Sequence, residues 1–185
     1  MRQFQTIVFS KWGCGMLYLK KLSIQDGLDV FNMLHKIGSI ENSFTNPVHN
    51  MSFLQFQDWL IQQNKWSKEE ELPDGYVGQT IFWMYDDDTV VGMGKIRHKL
   101  TEASRKNGGN IGYAIHPQYR GKGYGNAILR LLLKEAQRMR LEEILLTVDK
   151  GNTASKLVAE KSGGLLIHEN DRCWYYNIPN SESNE

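Results

Sequence analysis

The first polar and apolar pattern in the chain changes from strand-like to helical within twenty residues. MLYLKKL (16–22) alternates well enough to predict a strand. Residues from Leu28 to Leu34 then follow helical spacing. Ser23 is predicted to cap this helix at its N-terminus, with Asp26 three residues further on in a near capping box. The pattern therefore predicts a strand followed by a helix that opens at Ser23.

A second helix is predicted over about 52–64, after the break NPVHN (46–50). Its apolar stripe is aromatic and includes Phe53, Phe56 and Trp59. A stripe at this spacing is typical of a helix face that packs into a core. Part of it is also expected to line a cleft.

The second half of the chain alternates short apolar runs with two helical segments. TIFWMY (80–85) and TVVGMGKIRH (89–98), joined by three aspartates, predict a hairpin. The charged stretch 99–110 is predicted to be a mobile connection. The remaining predicted elements are a strand at 111–116, a helix ending near Met139, a strand at 143–148, a helix over about 153–162, and strands near 165–168 and 173–178.

This order predicts an α/β fold of the α+β type, with a mixed sheet and helices on its faces. It lacks the strict alternation of a doubly wound fold. The length of 185 residues suits one domain, which we place at 16–179. Residues 1–15 are predicted to be either a weakly ordered arm or an upstream extension, and 180–185 a flexible tail.

Composition excludes several function classes. The formal net charge is +1, which gives no basic stripe for nucleic acid and no polybasic patch for a membrane surface. The two cysteines, Cys14 and Cys173, are far apart, so neither a paired-cysteine zinc site nor any other metal is expected. Lone thiols and the absence of a long apolar run predict a cytoplasmic protein. A homodimer is left open.

One segment, HPQYRGKGYGNAILRLLLKEA (116–136), places glycines at alternate positions before an apolar helix. A helix N-terminus presents unpaired N–H groups, and glycine permits positive φ and close approach of a ligand. Arg120 and Lys122 add positive charge, so the segment predicts a phosphate or pyrophosphate site. The alternative is a tight turn between strand and helix.

Two phosphate-binding motifs fit this segment poorly. A Walker loop needs Ser or Thr after Gly-Lys, where this chain has Gly123. A dinucleotide fingerprint needs G-x-G-x-x-G spacing directly after a strand. Asp149 stands where that fold places an acidic residue, but the glycines have G-x-G-x-G spacing and no second βαβαβ half follows.

The loop RGKGYG (120–125) matches the [Q/R]-x-x-G-x-[G/A] loop of the GNAT acyltransferases, and the chain resembles that superfamily over at least 80–178. IGYAIHPQYRGKGYG is similar to its fourth strand and loop, and ILLTVDKGNTASKLVAEKSGG to its fifth strand and following helix. The resemblance is to a branch of bacterial predicted acetyltransferases. It implies a mostly antiparallel sheet of about seven strands whose fourth and fifth strands splay apart.

The resemblance also implies a site for acetyl-CoA. Ile115 and its neighbours would pair with the pantetheine amides, Asn152 would bond the pantetheine arm, and Ser155 would lie beside the thioester. Asn152 is alternatively, or in addition, an N-cap of its helix. The pyrophosphate would be held by the N–H groups of Gly121, Lys122, Gly123, Tyr124, Gly125 and Asn126, with Arg120 beside them.

The residues for catalysis depart from the family pattern. Ala159 stands where many relatives carry a tyrosine acid, and Asn110 where many carry a glutamate base. His98 is a candidate base and Tyr113 a candidate thiolate acid or acceptor ligand. The acceptor cleft is expected to be walled by three aromatic residues, with core packing as the alternative for the first of them: Trp59, Trp66 and Tyr76.

The resemblance implies an N-acetyltransferase that moves an acetyl group from acetyl-CoA directly to a primary amine, on a small molecule or a peptide. Two other classes stay open. One is a non-catalytic domain that binds or senses acyl-CoA, and the other is a nucleotide-binding oxidoreductase.

Overall fold

The protein is described by a computed structural model over residues 7–9 and 15–179, which contain ten strands and five α-helices. The strands are β1 (Ile7–Phe9), β2 (Met16–Lys21), β3 (Ile40–Glu41), β4 (Phe44–Thr45), β5 (Gln79–Asp86), β6 (Thr89–Arg97), β7 (Ile111–Ile115), β8 (Ile144–Asp149), β9 (Leu165–Glu169) and β10 (Cys173–Ile178). The helices are α1 (Leu28–Lys36), α2 (Phe53–Trp66), α3 (Glu102–Lys106), α4 (Tyr124–Arg138) and α5 (Thr153–Lys161).

The strands form two principal sheets. Five strands lie in the order β1-β2-β5-β6-β7, and three in the order β8-β10-β9. Each hydrogen-bonded pair in these described sheets is antiparallel. The predicted fold class is confirmed. The strands β7 and β8, which the resemblance predicts to splay apart, lie at facing edges of the two sheets.

Helices cover both faces of this arrangement. The apolar side of α4 packs on one face against both sheets, with core residues such as Leu132, Ile96 and Leu146. On the opposite face, α1 and α2 pack against the five-stranded sheet around Phe56 and Trp83. Since α4 touches both sheets, its packing fixes where β7 and β8 lie relative to each other.

The first helix begins later than its capping signal predicts. Gly27 is the N-cap of α1, and Ser23 does not cap it. The carboxylate of buried Asp26 instead accepts hydrogen bonds from Trp83 Nε1 at 2.6 Å and from Ser23 N at 2.8 Å. Because Asp26 bonds Trp83, the residues between Ser23 and Gly27, predicted as the first helical turn, form a loop.

Two small elements lie where the sequence predicted no helix or strand. The connection predicted as mobile holds α3, which Thr101 and Ser104 start with a reciprocal capping box. A two-stranded hairpin, β3–β4, lies between α1 and α2. The second helix agrees with prediction, since Ser52 caps it through a capping box with Gln55.

The predicted N-terminal arm is partly described. Residues 7–9 form β1, which pairs with β2. Residues 1–6 and 10–14 and the predicted tail 180–185 lie outside the described residues. Within the described part of the chain, no helix is long and apolar enough to cross a membrane.

Candidate active site

The edges of β7 and β8 meet at one end and separate at the other. Asn110, which is 3% exposed, donates its backbone N–H to Leu145 O at 2.7 Å and accepts from Leu145 N through Oδ1 at 2.9 Å. Beyond this clamp the two strands belong to different sheets. The result is a wedge that opens towards the glycine loop after β7 and towards Asn152 after β8. Asn110, noted in the sequence only because it replaces a glutamate, closes the narrow end.

The glycine loop leads from β7 into α4 through two left-handed residues. Gly121 has φ +73° and Gly123, the N-cap of α4, has φ +85°. A Cβ at either position would meet no described atom within 4 Å, so glycine is needed there for the backbone conformation and the space above stays open. Gly125 differs, because a Cβ there would lie 3.4 Å from Val158 Cγ2 of α5. The third glycine lies at the contact between α4 and α5, at a distance that a Cβ would also tolerate.

The N–H groups of this loop converge on the start of α4. Among the described residues, no backbone acceptor is bonded to the N–H of Gly121, Lys122, Gly123, Tyr124 or Gly125. Asn126 departs from the prediction, because its N–H donates to Gly123 O at 3.1 Å. Free N–H groups at a helix N-terminus carry partial positive charge and suit an anion.

The side chains around the loop take different roles from those predicted. Arg120 donates from Nε to Ile115 O at 2.9 Å and pairs with Glu41 through Nη2, so its charge is neutralised and the carbonyl of Ile115 is engaged. The hydroxyl of Tyr124 donates to Asp86. Lys122 is exposed, and its Nζ lies 5.7 Å from the ring centroid of Tyr119. Lys122 is thus the cation of this segment that stays available to a ligand.

The start of α5 brings the predicted pantetheine residues towards β7. Asn152 caps α5, since its Oδ1 accepts from Ser155 N at 3.1 Å. The hydroxyl of Tyr113 reaches across the wedge to Ser155 Oγ at 3.3 Å. Burial raises the pKa of Tyr113, and the bond to Ser155 opposes this rise. The phenol is therefore protonated at neutral pH and available as a donor.

His98, the predicted base, lies away from this group of residues. Its Nε2 is 2.9 Å from Thr80 Oγ1, and its Nδ1 is 3.7 Å from Glu69 Oε1. These partners lie on β5 and on the connection after α2, and not on β7, β8 or the glycine loop. Burial lowers its pKa, although Glu69 acts in the opposite direction. The contacts are those of a structural histidine.

The aromatic residues predicted to wall the acceptor cleft do not meet the wedge. Trp59 is buried, 6.4 Å from the ring of Trp83 in the core. Tyr76 is exposed and packs with its ring 5.5 Å from that of Trp66. For Trp59, the core alternative is correct. The other two form a pair at the end of α2.

The β3–β4 hairpin, which no pattern in the sequence predicts, closes the wedge on the side of α1 and α2. Glu41 pairs with Arg120 after β7, and Ser43 Oγ donates to Asp149 Oδ2 at 2.7 Å at the end of β8. Phe44 of the same hairpin has the ammonium of Lys95 4.8 Å from its ring centroid. The only signal for Lys95 in the sequence is one lysine inside the apolar run of β6.

The family model described as "Acetyltransferase (GNAT) family" matches residues 41–164. The chain belongs to the GNAT acetyltransferase family. The matched segment contains the glycine loop, the wedge and the hairpin from Glu41 onwards. The resemblance predicted from the loop motif is confirmed, and family membership supports acetyl transfer in general.

Solved structures of similar shape include three acetyltransferases. The N-acetyltransferase PseH of Campylobacter jejuni, in complex with acetyl coenzyme A, has 11% identity and a TM-score of 0.61, with 89% of this chain and 99% of that chain covered. The ribosomal alpha-N-protein acetyltransferase RimL, in complex with coenzyme A, has 13% identity and a TM-score of 0.68, covering 94% and 98%. The microcin self-immunity acetyltransferase MccE, in complex with acetyl-CoA and AMP, has 14% identity and a TM-score of 0.65, covering 88% and 92%. At these identities the similarity establishes the fold.

Proposed function

We propose that this GNAT protein transfers the acetyl group of acetyl-CoA to a primary amine, directly and within a ternary complex. The observation that carries the proposal is the wedge between β7 and β8, which opens onto the free N–H groups at the start of α4. Unpaired strand edges suit the amides of pantetheine, and the helix N-terminus suits a pyrophosphate. Lys122 adds a positive charge beside it.

The Tyr113 hydroxyl is the proposed acid of the reaction. The neutral amine nitrogen attacks the thioester carbon and forms the C–N bond, and collapse of the tetrahedral intermediate breaks the C–S bond. The departing thiolate takes its proton from Tyr113, and the proton lost by the amine nitrogen passes through water to the tyrosinate and restores the phenol. Proximity of the two bound substrates supplies much of the rate. The position of this hydroxyl, 3.3 Å from Ser155 Oγ at the start of α5, supports this role.

A thermal-shift measurement with acetyl-CoA tests the binding step. We expect millimolar acetyl-CoA to raise the Tm, because a ligand that binds only the folded state stabilises it. Gly123→Val is expected to lose most of this shift, since a branched side chain covers the free N–H groups. Gly75→Val is the matched control, because Gly75 has a similar φ of +79° and open space but lies in the connection before β5. Both variants share a strain cost of about 1–2 kcal/mol, and an equal acetyl-CoA shift in both would contradict the site.

A non-catalytic acyl-CoA-binding domain is the second candidate. It is favoured by Ala159 in place of the family's tyrosine and by the structural use of Asn110. Release of free CoA from acetyl-CoA with a panel of amines separates the two functions. Amine-dependent release supports the transferase, and acetyl-CoA binding without release supports the binding domain.

A further inference from the structure

Two basic side chains of β6 lie on the face of the sheet that the β3–β4 hairpin covers. Lys95 is paired in register with Gly112 of β7, and a Cβ at Gly112 would lie 3.3 Å from Lys95 Cε. Its ammonium is 4.8 Å from the ring centroid of Phe44 in the hairpin. Lys95 therefore lies between β7 and the hairpin, beside the wedge.

Arg97 is two residues further along β6, on the same face, because side chains of a strand alternate. Its Nη1 donates to Gly109 O at 2.8 Å and would lie 3.0 Å from a Cβ at Gly108. Gly108 in turn donates its N–H to Thr147 Oγ1 of β8 at 2.5 Å. The guanidinium thus lies at the turn that bridges β7 and β8. Lys95 and Arg97 are thus neighbouring positions on one face of β6, roughly 6.6 Å apart along the strand.

Neither cation has a counter-ion within the described residues. The ion pairs found there engage other basic groups, such as Lys20 with Asp26 and Arg120 with Glu41, but not Lys95 or Arg97. Burial lowers the pKa of both side chains, that of Lys95 to about 8, and the charge of Arg97 lowers the pKa of Lys95 further. Burying an unpaired charge costs stability.

We propose that Lys95 and Arg97 bind an anionic group of the acceptor, so that the acceptor is an amine that also carries a carboxylate or a phosphate. This inference rests on the proposed transferase function and narrows its substrate class. A bound anion would supply the missing counter-charge, and Arg97 could offer charge-assisted hydrogen bonds to it. The face that holds the two cations borders the wedge where the thioester would lie.

Matched amine pairs test the proposal by CoA release. Phenylalanine is compared with phenethylamine, and phosphoethanolamine with ethylamine, so that the carboxylate and phosphate arms are separate. We expect the anionic member of at least one pair to have a kcat/KM higher by about tenfold or more, since hydrogen bonds between charged groups contribute 1.5–3 kcal/mol. Lys95→Met and Arg97→Met should lose this preference, and Lys99→Met, whose side chain is 74% exposed, should retain it.

Lys95→Arg separates anion binding from base catalysis by a neutral lysine. Arginine keeps the positive charge and stays protonated, so it should preserve the preference for the anionic amine. Equal turnover within both pairs, or loss of turnover in Lys95→Arg to the level of Lys95→Met, would overturn the proposal.

Two readouts do not depend on activity. Lys95→Met should raise the Tm at pH 7, because an unpaired buried charge is replaced by an apolar side chain of similar length. The pKa of the Lys95 ammonium, followed by NMR with Lys95→Met for assignment, should rise when inorganic phosphate or acetate is added, and Arg97→Met should reduce that rise.

A lower Tm in Lys95→Met or an unchanged pKa would overturn the proposal, even if the protein releases no CoA with any amine. Absence of CoA release with an anion-sensitive Lys95 would overturn the transferase function but not the anion site.

Discussion

At the scale of single residues, the proposed acid hydroxyl comes from a different position than in many GNAT proteins. Ala159 occupies the position at which many GNAT proteins carry a tyrosine, on the helix after the fifth strand. Tyr113 instead reaches Ser155, which precedes Ala159 by one helical turn on α5. A hydroxyl from β7 thus lies close to where the helix would otherwise supply one.

Tyr113→Phe is expected to lower kcat by roughly 100-fold, the usual contribution of a general acid, and to leave the affinity for acetyl-CoA almost unchanged. The measurement is steady-state kinetics with one identified amine, together with acetyl-CoA binding. Tyr176→Phe is the control, because its hydroxyl bonds Glu160 at 3.1 Å on α5. A Tyr113→Phe enzyme with wild-type kcat would assign the hydroxyl a packing role only.

His98→Ala is expected to reduce stability while the shape of the pH–rate profile stays the same. Burial lowers the pKa of His98, so its protonation is linked to unfolding: its contribution to stability is present above the ordinary value of 6.5 and is lost as the pH falls below it. The difference in Tm between wild type and variant should therefore shrink from pH 7.5 to about pH 5. A pH–rate profile that loses its acidic limb in His98→Ala would restore His98 as the base.

At the scale of elements, the wedge depends on two strands that Asn110 joins at one end. Asn110 replaces a ladder between β7 and β8 with a backbone bond and a side-chain bond to Leu145. The closely packed Gly109 supports this junction, since a Cβ there would lie 2.1 Å from Leu145 O. The strands can then diverge over the rest of their length and leave edges for a ligand.

Asn110→Ala should destabilise the protein by about 1–3 kcal/mol, because the buried N–H of Leu145 loses its acceptor. Acetyl-CoA affinity should fall as well, since the wedge loses its fixed end. Chemical denaturation and acetyl-CoA titration measure the two effects. Asn107→Ala is the control at the exposed C-cap of α3. If Asn110→Ala unfolds in denaturant as wild type does, the clamp contributes no stability.

At the scale of the whole molecule, the β3–β4 hairpin joins both sides of the wedge. Its contacts to Arg120 and Asp149 connect residues 79 and 106 positions apart in the chain. The loop after β7 and the end of β8 are thereby both bonded to this short hairpin between α1 and α2. Access of an acceptor from this face depends on the position of the hairpin.

The double substitution Glu41→Ala and Ser43→Ala removes both tethers of the hairpin. We expect faster hydrogen exchange over 40–45 and an altered KM for the amine, with stability changed by less than about 1 kcal/mol per exposed contact. Glu102→Ala, which breaks the exposed pair with Lys106, is the control. Exchange at 40–45 that matches wild type would show that apolar packing of Phe44 holds the hairpin.

The sequence by itself determined the order of most elements, the glycine loop and the family. These features are local. A helical or alternating period of apolar residues indicates which face of one segment is buried, and Gly121 and Gly123 indicate positions of positive φ. The capping box at Ser52 is equally local and was predicted as a helix start. The splayed strand pair followed from the family resemblance.

Only the tertiary structure decided which side chains meet in the wedge. Asp26 accepts a hydrogen bond from Trp83 instead of taking part in a cap of α1, and Arg120 forms an ion pair with Glu41. His98 and Lys95 are three residues apart, yet one packs against β5 and the other lies beside β7. Strand order and register set these contacts between distant residues, and no period along one segment carries that information.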